Sequence, residues 1–265
     1  MLSLLFALID RWLVPPPLLG RCDWLTRTIY AHRGMHGEGA VENSPTAFAR
    51  AIAAGLGIEC DVQRSRDGQA IVFHDETLER LTAQTGELRD ETAATLGTIT
   101  LTGSTDTIPT LPHLLAQVGG TVPLLIEIKI ARAGRVAPLC LAVRRALEGY
   151  AGPVAIMSFD PAVPSWFARY APRVVRGLVM TEEGWRTLGA STRRHWALWR
   201  ARPDFIAYDI DDLAGRFAQG QRRRGLPVLS WTIDTPQRAA RVRELADAPI
   251  AEATGLTTLI GPAAR

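Results

Sequence analysis

Short apolar runs rich in Val, Ile and Leu recur along the chain, separated by longer stretches whose apolar positions repeat at helical spacing. Such alternation predicts strand–helix–strand units and a parallel sheet. The runs expected as strands are residues 28–32, 57–62, 123–129, 154–159, 174–180, 205–210, 227–233 and 256–260. Eight is the number that closes an α/β (β/α)8 TIM barrel, the fold class expected here, and 265 residues suit one such domain. The first helix is well punctuated. Ser44 is placed to cap it, Pro45 opens the first turn, Ala47, Phe48, Ala51 and Ile52 supply the apolar face, and Gly55 ends it.

One further extended run, 70–75, breaks the alternation. Only residues 63–69 separate it from the second strand, and a parallel crossover needs a dozen residues or more. The two runs must therefore form an antiparallel hairpin turning at Asp67-Gly68. That turn sets residues 59–61 opposite 74–76, and makes the hairpin an arm over the barrel mouth that carries His74 back beside Glu59 and Asp61. From 76 to 107 the chain is polar and rich in Thr and Gly, so a small insertion is expected, with helical pieces at 77–81 and 92–96. Ile108-Pro109-Thr110-Leu111 then resumes the barrel, whose domain is expected to span 28–265.

Residues 1–27 stand apart as an apolar helix and linker. Leu2, Leu5, Phe6, Ile9, Trp12 and Leu13 share one helical face ahead of Pro15-Pro16-Pro17. The uninterrupted apolar stretch is too short to cross a bilayer, and it lacks the basic leader and cleavage site of a signal peptide. The helix either covers the barrel floor or lies in a membrane interface, which makes residues 2–14 a candidate peripheral membrane contact.

A hydrophobic fraction of 47% and a charged fraction of 22% are those of a globular, fully cored chain. The net charge of +3 is mild, and no basic stripe interleaves with aromatics, so nucleic acid is not an expected partner. Arg222-Arg223-Arg224 reads as the solvated end of a helix. Cys22, Cys60 and Cys140 are odd in number and form no CxxC pair, which points to a reducing compartment. A cytoplasmic location follows, at the inner membrane face where the N-terminal helix engages lipid. Cys60 alternates with Glu59 and Asp61 and so belongs to the barrel–helix interface. Nothing in the sequence sets the oligomeric state.

Four patches carry the candidate chemistry: His32-Arg33-Gly34, Glu59-Cys60-Asp61, His74-Asp75 and Glu127-Ile128-Lys129. Each ends an apolar run, where a strand delivers it to the barrel edge. Glu59 and Asp61 are two apart on a strand and face the same way. Adjacent carboxylates repel unless a cation lies between them. A hard divalent ion, Mg²⁺ or Ca²⁺, is the expected occupant, with Glu127 as a third ligand. The same spacing puts Lys129 on the face of Glu127. Of the 30 Lys and Arg residues, Lys129 is the single lysine, and a compact ammonium is not interchangeable with a guanidinium. Its place suits a point charge against a phosphate oxygen.

His32 and His74 are the acid–base candidates, since an imidazole of pKa about 6.5 both takes and gives a proton near neutrality. His36, His113 and His195 end no strand beside a carboxylate and are expected as loop, helix or surface residues. Arg33 suits phosphate oxygens, with a salt bridge to Glu42 or to the acidic cluster as the competing reading. These are the parts for metal-assisted hydrolysis of a phosphate ester.

In this order the patches resemble the glycerophosphodiester phosphodiesterase family. The text that carries the resemblance is YAHRG, ENSPTAF, GIECDVQRSRDGQAIVFHDETLERLT, IPTL and LLIEIK, from Tyr30 to Lys129, thinning later to Ser158-Phe159 and Trp231-Thr232-Ile233. The resemblance implies a TIM barrel with a small insertion after the His-Asp strand. It also implies metal ligation by Glu59, Asp61 and Glu127, acid–base roles for His32 and His74, phosphate contacts from Arg33 and Lys129, and Trp231 as a wall of the alcohol pocket. The implied reaction is metal-dependent hydrolysis of a small-molecule glycerophosphodiester to sn-glycerol 3-phosphate and an alcohol. Two rivals share the constellation. One is a lysophospholipase D acting on lysophospholipids at a membrane surface, which the N-terminal helix favours. The other is a catalytically silent phosphodiester- or lipid-binding barrel, which the retention of both histidines and all three carboxylates disfavours. Where the family commonly ends its last strand on Thr-Asp, this chain reads Thr257-Thr258-Leu259-Ile260-Gly261-Pro262.

Overall fold

Helix α1 (Leu2–Leu13) comes first, and the alternation of strands and helices begins at β1 (Tyr30–Ala31). The computed structural model describes residues 2–131, 134–182 and 189–261. Its contacts separate two units, Tyr30–Val154 and Met1–Ile29 with Ala155–Gly261.

The unit from Tyr30 continues with α2 (Pro45–Ala53), β2 (Gly57–Arg64), β3 (Ala70–Val72), α3 (Ala93–Leu96), α4 (Leu111–Val118), β4 (Leu124–Ile128) and α5 (Val136–Ala146). β2 runs parallel to both β1 and β4, with Tyr30 opposite Gly57 and Asp61 opposite Glu127. It is buried on both faces from Gly57 to Val62, as a strand covered by helices must be. α2 forms as its sequence predicts: the Ser44 side chain accepts from the Ala47 N–H, and Ala47, Phe48 and Ala51 are buried.

The hairpin is present, with β3 antiparallel to β2. Its register differs from expectation by one residue. Val62 lies opposite Val72, which sets 59–61 against 73–75, and Phe73 N–H bonds to the Asp61 carbonyl. The reason is the turn. Ser65 N–H closes onto the Gln69 carbonyl, leaving a three-residue loop whose last member, Gly68, takes φ 85°. Residues 76–107 make the small insertion, with a core of their own in which Leu78, Leu88, Leu96 and Leu101 pack with Ile71, Phe73 and Ile108. The helical piece expected at 92–96 is α3, capped by Thr92. The piece expected at 77–81 is not a helix. Thr77 bridges Glu87 and Thr82 bridges Leu101, and so short a span held at both ends has no room to propagate a helix.

The other unit carries β5 (Val154–Ser158, whose first residue falls to the Tyr30 unit), α6 (Ala162–Tyr170), β6 (Val175–Met180), α7 (Ala190–Ala201) and β7 (Phe205–Asp209). After these come α8 (Arg216–Arg223), β8 (Val228–Ile233), α9 (Pro236–Leu245), β9 (Ala248–Ala251) and α10 (Ala253–Ile260). β5 to β9 pair in chain order, all parallel. The described residues thus hold eight parallel strands with helices between them plus the antiparallel β3, and the fold class is the (β/α)8 TIM barrel with a hairpin arm.

The expected eighth strand at 256–260 is a correction: those residues belong to α10, and the strand is β9. Thr257, Thr258 and Ile260 have strand-like side chains, but the Gly255 N–H bonds to the Asp234 carbonyl and starts a helix there. Pro262 lies outside the described residues. The shared apolar face expected for α1 is also split. Asp10 is buried, Phe6 and Leu13 are half-buried, and Leu5 and Trp12 point to solvent. The side chain of Leu2 is outside the described set. Asp10 turns inward because three donors wait for it there: His195 Nδ1 at 2.8 Å, Trp199 Nε1 at 2.7 Å and Gln221 Nε2 at 2.7 Å.

Candidate active site

All four patches fall in the unit from Tyr30 to Val154, and Trp231 falls in the other. The first is held by an unusual turn. Arg33 takes φ 55° and Gly34 φ 81°, and a Cβ on Gly34 would lie 2.9 Å from the Ala47 Cβ, so only glycine lets α2 approach this closely. The turn aims the Arg33 N–H at Glu59 Oε2, 3.0 Å away. His32 Nε2 lies 3.9 Å from the same oxygen.

β2 and β4 then bring three carboxylates together. One oxygen each from Glu59, Asp61 and Glu127 lies within 4.8 Å of the others. Glu59 and Asp61 are buried and Glu127 nearly so. Burial pushes the Glu59 carboxyl well up, and the charges of Asp61 and Glu127 push it further. Burial, together with Asp61, raises Glu127 to about 7. Asp61 is also pushed up by burial, but the charges of Lys129, Arg33 and His74 outweigh this and hold it below the usual range. The one lysine sits among them, Nζ 3.4 Å from Asp61 Oδ1 and 3.7 Å from Glu127 Oε1. Arg33 Nε is 3.3 Å from Asp61 Oδ2. Two cations thus compensate Asp61, while Glu59 and Glu127 stay short of positive charge. A small hard cation with oxygen ligands fits this donor set.

His74 follows the hairpin arm and is held from one side. Its Nδ1 lies 2.6 Å from Asp75 Oδ1, which leaves Nε2 as its reactive nitrogen. Burial lowers the His74 pKa, and the charges of Lys129 and Arg33 add to this against the pull of Asp61 and Asp75. Arg80 donates to Asp75 and also, through both terminal nitrogens, to Glu42 at 2.7 and 3.0 Å. Glu42 in turn accepts from Arg33 at 2.7 Å. An ionic chain therefore links His74 to Arg33. Burial would raise Asp75 and Glu42, but Arg80, with His74 or Arg33, holds each at about 2. Both salt bridges weighed for Arg33, to Glu42 and to the acidic cluster, are present.

Three contributors lay outside the sequence reading of the site. Buried Asn43 donates to Asp61 Oδ2 at 2.9 Å and accepts from the Asp61 N–H at 3.2 Å, fixing that carboxylate from both ends. Arg80 joins the arm to Glu42, and Gln63 Nε2 donates to the Phe73 and Asp75 carbonyls, pinning the arm to β2. ENSPTAF held the signal for Asn43, next to the helix cap. Nothing in the spacing marked Arg80.

Trp231 lies on β8 in the other unit, its Nε1–H donating to the Ala207 carbonyl at 3.1 Å and its ring 5.4 Å from that of Phe159. Of the other histidines, His113 is exposed on α4, and His195 on α7 pairs with Asp10. Cys22, Cys60 and Cys140 are buried, and none is in a disulfide.

Comparison with known proteins agrees with this geometry. The model of the Glycerophosphoryl diester phosphodiesterase family matches residues 32–251. A Caldanaerobacter subterraneus subsp. tengcongensis protein named glycerophosphodiester phosphodiesterase is 27% identical over 229 residues, 81% of this chain and 88% of that one. A shorter match, 48% identical over 63 residues, spans 23% of this chain and 26% of the Bacillus subtilis protein YqiK, described as uncharacterized. Among solved structures, an Oleispira antarctica phosphodiesterase in complex with the product sn-glycerol-3-phosphate superposes with a TM-score of 0.74 at 22% identity, over 84% of this chain and 92% of that one.

Proposed function

This chain belongs to the glycerophosphoryl diester phosphodiesterase family, and from that premise we infer the reaction it carries out and the residues that perform it. It is a phosphoric diester hydrolase that cleaves glycerophosphodiesters to sn-glycerol 3-phosphate and an alcohol. The observation that carries the reading is the clustering of Glu59, Asp61 and Glu127 with Lys129, Arg33 and His32 in one buried site, with His74 oriented beside it.

Glu59, Asp61 and Glu127 are the residues that would hold one divalent cation, Mg²⁺ or Ca²⁺, which when bound supplies Lewis-acid stabilisation of phosphate oxygens. Arg33, fixed by Glu42, and Lys129, fixed by Asp61, hold the remaining phosphate oxygens and meet the charge that grows on them in the transition state. One histidine takes the proton of the attacking oxygen, from water or a glycerol hydroxyl, and the other gives a proton to the leaving alkoxide. Asp75 keeps the His74 ring turned so that Nε2 does this work. Trp231 serves as an apolar wall for the departing alcohol.

We treat 28–265 as one catalytic domain, since neither unit alone holds eight parallel strands, and 1–27 as an appended helix and linker. Three buried cysteines, none in a disulfide, support a cytoplasmic setting. No described helix is long and apolar enough to cross a membrane. Residues 2–14 are the peripheral contact with the inner membrane face.

One observation favours lysophospholipase D activity as a second reading. The exposed apolar side chains of α1, Leu5, Leu8 and Trp12, suit an enzyme that meets its lipid substrate at a membrane surface. Turnover of glycerophosphocholine and of lysophosphatidylcholine, each measured with Mg²⁺ and with Ca²⁺, separates the readings. Preference for the deacylated diester supports the first, preference for the lysolipid the second, and no hydrolysis of either refutes both.

A further inference from the structure

Helix α1 buries only part of its apolar surface, keeping Phe6, Ile9 and Leu13 half-buried while Leu5, Leu8 and Trp12 stay exposed. An amphipathic helix lying on a protein turns its apolar stripe inward. Here the inward side also carries Asp10, buried and bonded to His195, Trp199 and Gln221, and Phe6 stacks on the His195 ring at 4.4 Å. Arg224 Nη1 ties the helix end by donating to the Val14 carbonyl. These contacts fix the helix about its axis. They leave Leu5, Leu8 and Trp12, spaced i, i+3, i+7, on the solvent side, with Leu18 and Leu19 beyond the prolines; Trp12 and Leu18 are each 82% exposed. Five large apolar side chains without cover on one short segment mark an interaction surface.

The chemistry beside that face says what covers it. A cleft of about 980 Å³ between α1, α7 and α8 is lined by Leu8 and by five arginines, Arg11, Arg194, Arg216, Arg223 and Arg224. Two carboxylates line it as well, and both are engaged. Asp10 is taken by its three donors, and Glu182 is 3.0 Å from Arg194 Nη1. Arg224 Nη2 and Arg194 Nε are buried with no hydrogen-bond acceptor among the described residues. Five guanidinium groups against two engaged carboxylates leave the cleft net positive, which favours an anion. Leu8 borders both features, so the apolar face and the cationic cleft are continuous.

Resting on the peripheral contact read above for residues 2–14, we propose that this cleft binds the phosphate of an anionic phospholipid while the Leu5, Leu8 and Trp12 face of α1 enters the adjoining acyl boundary, docking the protein on an anionic bilayer. A second copy of the chain is a poorer occupant, because a two-fold contact through this face would set the arginines of one cleft near those of the other. A bilayer supplies both the apolar depth and the phosphates.

The test is co-sedimentation of the full chain with vesicles of equal parts phosphatidylglycerol and phosphatidylcholine, and with phosphatidylcholine alone. Wild type should sediment with the anionic vesicles, much less with the neutral ones, and less as salt rises. Trp12→Glu with Leu8→Glu, and separately Arg216→Glu with Arg223→Glu, should each cut partition at least about tenfold. Hydrolysis of soluble glycerophosphocholine should be unchanged in both, since none of these residues belongs to the catalytic site. That assay also separates a failure of this proposal from a failure of the hydrolytic reading. Wild type left in the supernatant, or either variant sedimenting like wild type, overturns the proposal. So does a dimer in light scattering that Trp12→Glu dissociates, which would give the face to a second copy.

Discussion

At the scale of single residues, the site is a problem of charge held in too little water, and its predictions follow from which charge lacks a partner. Glu59 and Glu127 are the under-compensated carboxylates, so Glu59→Gln should behave like the chelated wild type. It should stay folded, yet show little or no hydrolysis whether or not Mg²⁺ or Ca²⁺ is supplied. Full wild-type activity in excess chelator would contradict the cation site itself. For His32→Ala and His74→Ala, a loss of roughly 10²–10⁴-fold each in kcat is expected for acid–base partners. His113→Ala should turn over normally. His195→Ala should also keep its turnover but melt earlier, because His195 holds buried Asp10. Lys129 gives the sharpest residue-level test. Its Nζ stands 3.4 Å from Asp61 and 3.7 Å from Glu127, so the planar guanidinium of Lys129→Arg must crowd the carboxylates or the phosphate. A displacement of about 1 Å can cost on the order of 100-fold, so that variant should fold normally and turn over far more slowly. Near-normal kinetics would return the lysine to a purely structural role. The lysine was legible because composition isolated it, and the carboxylates because E-x-D on a strand must share a face. Glu42 and Arg80 were not legible as a bridge, since they meet across 38 residues and only the folded insertion brings them together.

At the scale of elements, the sequence is legible wherever a local rule has a local cause. α2 carries its own cap, first-turn proline and apolar face, and it appears as expected. Structure departs from expectation where tertiary contacts decide. β9 carries a weak strand signal because Ala248-Pro249-Ile250-Ala251 offers one β-branched residue and a proline, whereas 256–260 has two threonines and an isoleucine. What selects helix in the latter is its entry: a Cβ on Gly255 would lie 2.2 Å from the Ile233 carbonyl oxygen, so α10 starts pressed against the end of β8. Gly255→Ala should therefore destabilise the protein by about 1–3 kcal/mol, read as a lower urea midpoint with an unchanged m-value. An unaltered midpoint would mean that the contact yields without cost. The hairpin shows the same limit. Asp67-Gly68 located the turn, but the closure between Ser65 and Gln69 set the register one residue away. Backbone contacts between the arm and β2 reach no further than the Phe73 N–H on the Asp61 carbonyl, so the orientation of His74 beyond it depends on Gln63 and Asp75.

For the whole molecule, the carboxylate cluster couples stability to pH and to cation. Glu59 is raised well above its ordinary value, and Glu127 from 4.5 to about 7, by burial and mutual repulsion. Between pH 4.5 and about 7 the native state therefore binds more protons at Glu127 than the unfolded chain does. Stability from this group must then fall as pH rises through that window and stay low above it. Asp61, Asp75 and Glu42 have the opposite sign. Their pKa values are depressed, so their contribution is present above the unfolded values of 3.8 or 4.5 and is lost only in acid, toward about 2 for Asp75 and Glu42. A divalent cation needs Glu59 and Glu127 ionised, so it relieves the repulsion at the pH where that repulsion is greatest, and its binding releases protons. At about 100 times its dissociation constant the cation should stabilise the fold by about 2.7 kcal/mol, a rise in Tm of roughly 5–10 °C for a chain of this size. At the same cation concentration the rise should shrink by more than half on going from about pH 8 to about pH 5.5, because protons then compete for the carboxylates. Glu59→Gln should show almost no cation-dependent rise at either pH and should melt above cation-free wild type at the higher one, having lost a buried negative charge. An equal rise in Tm at both pH values in the wild type would show that the cation binds somewhere other than these three carboxylates.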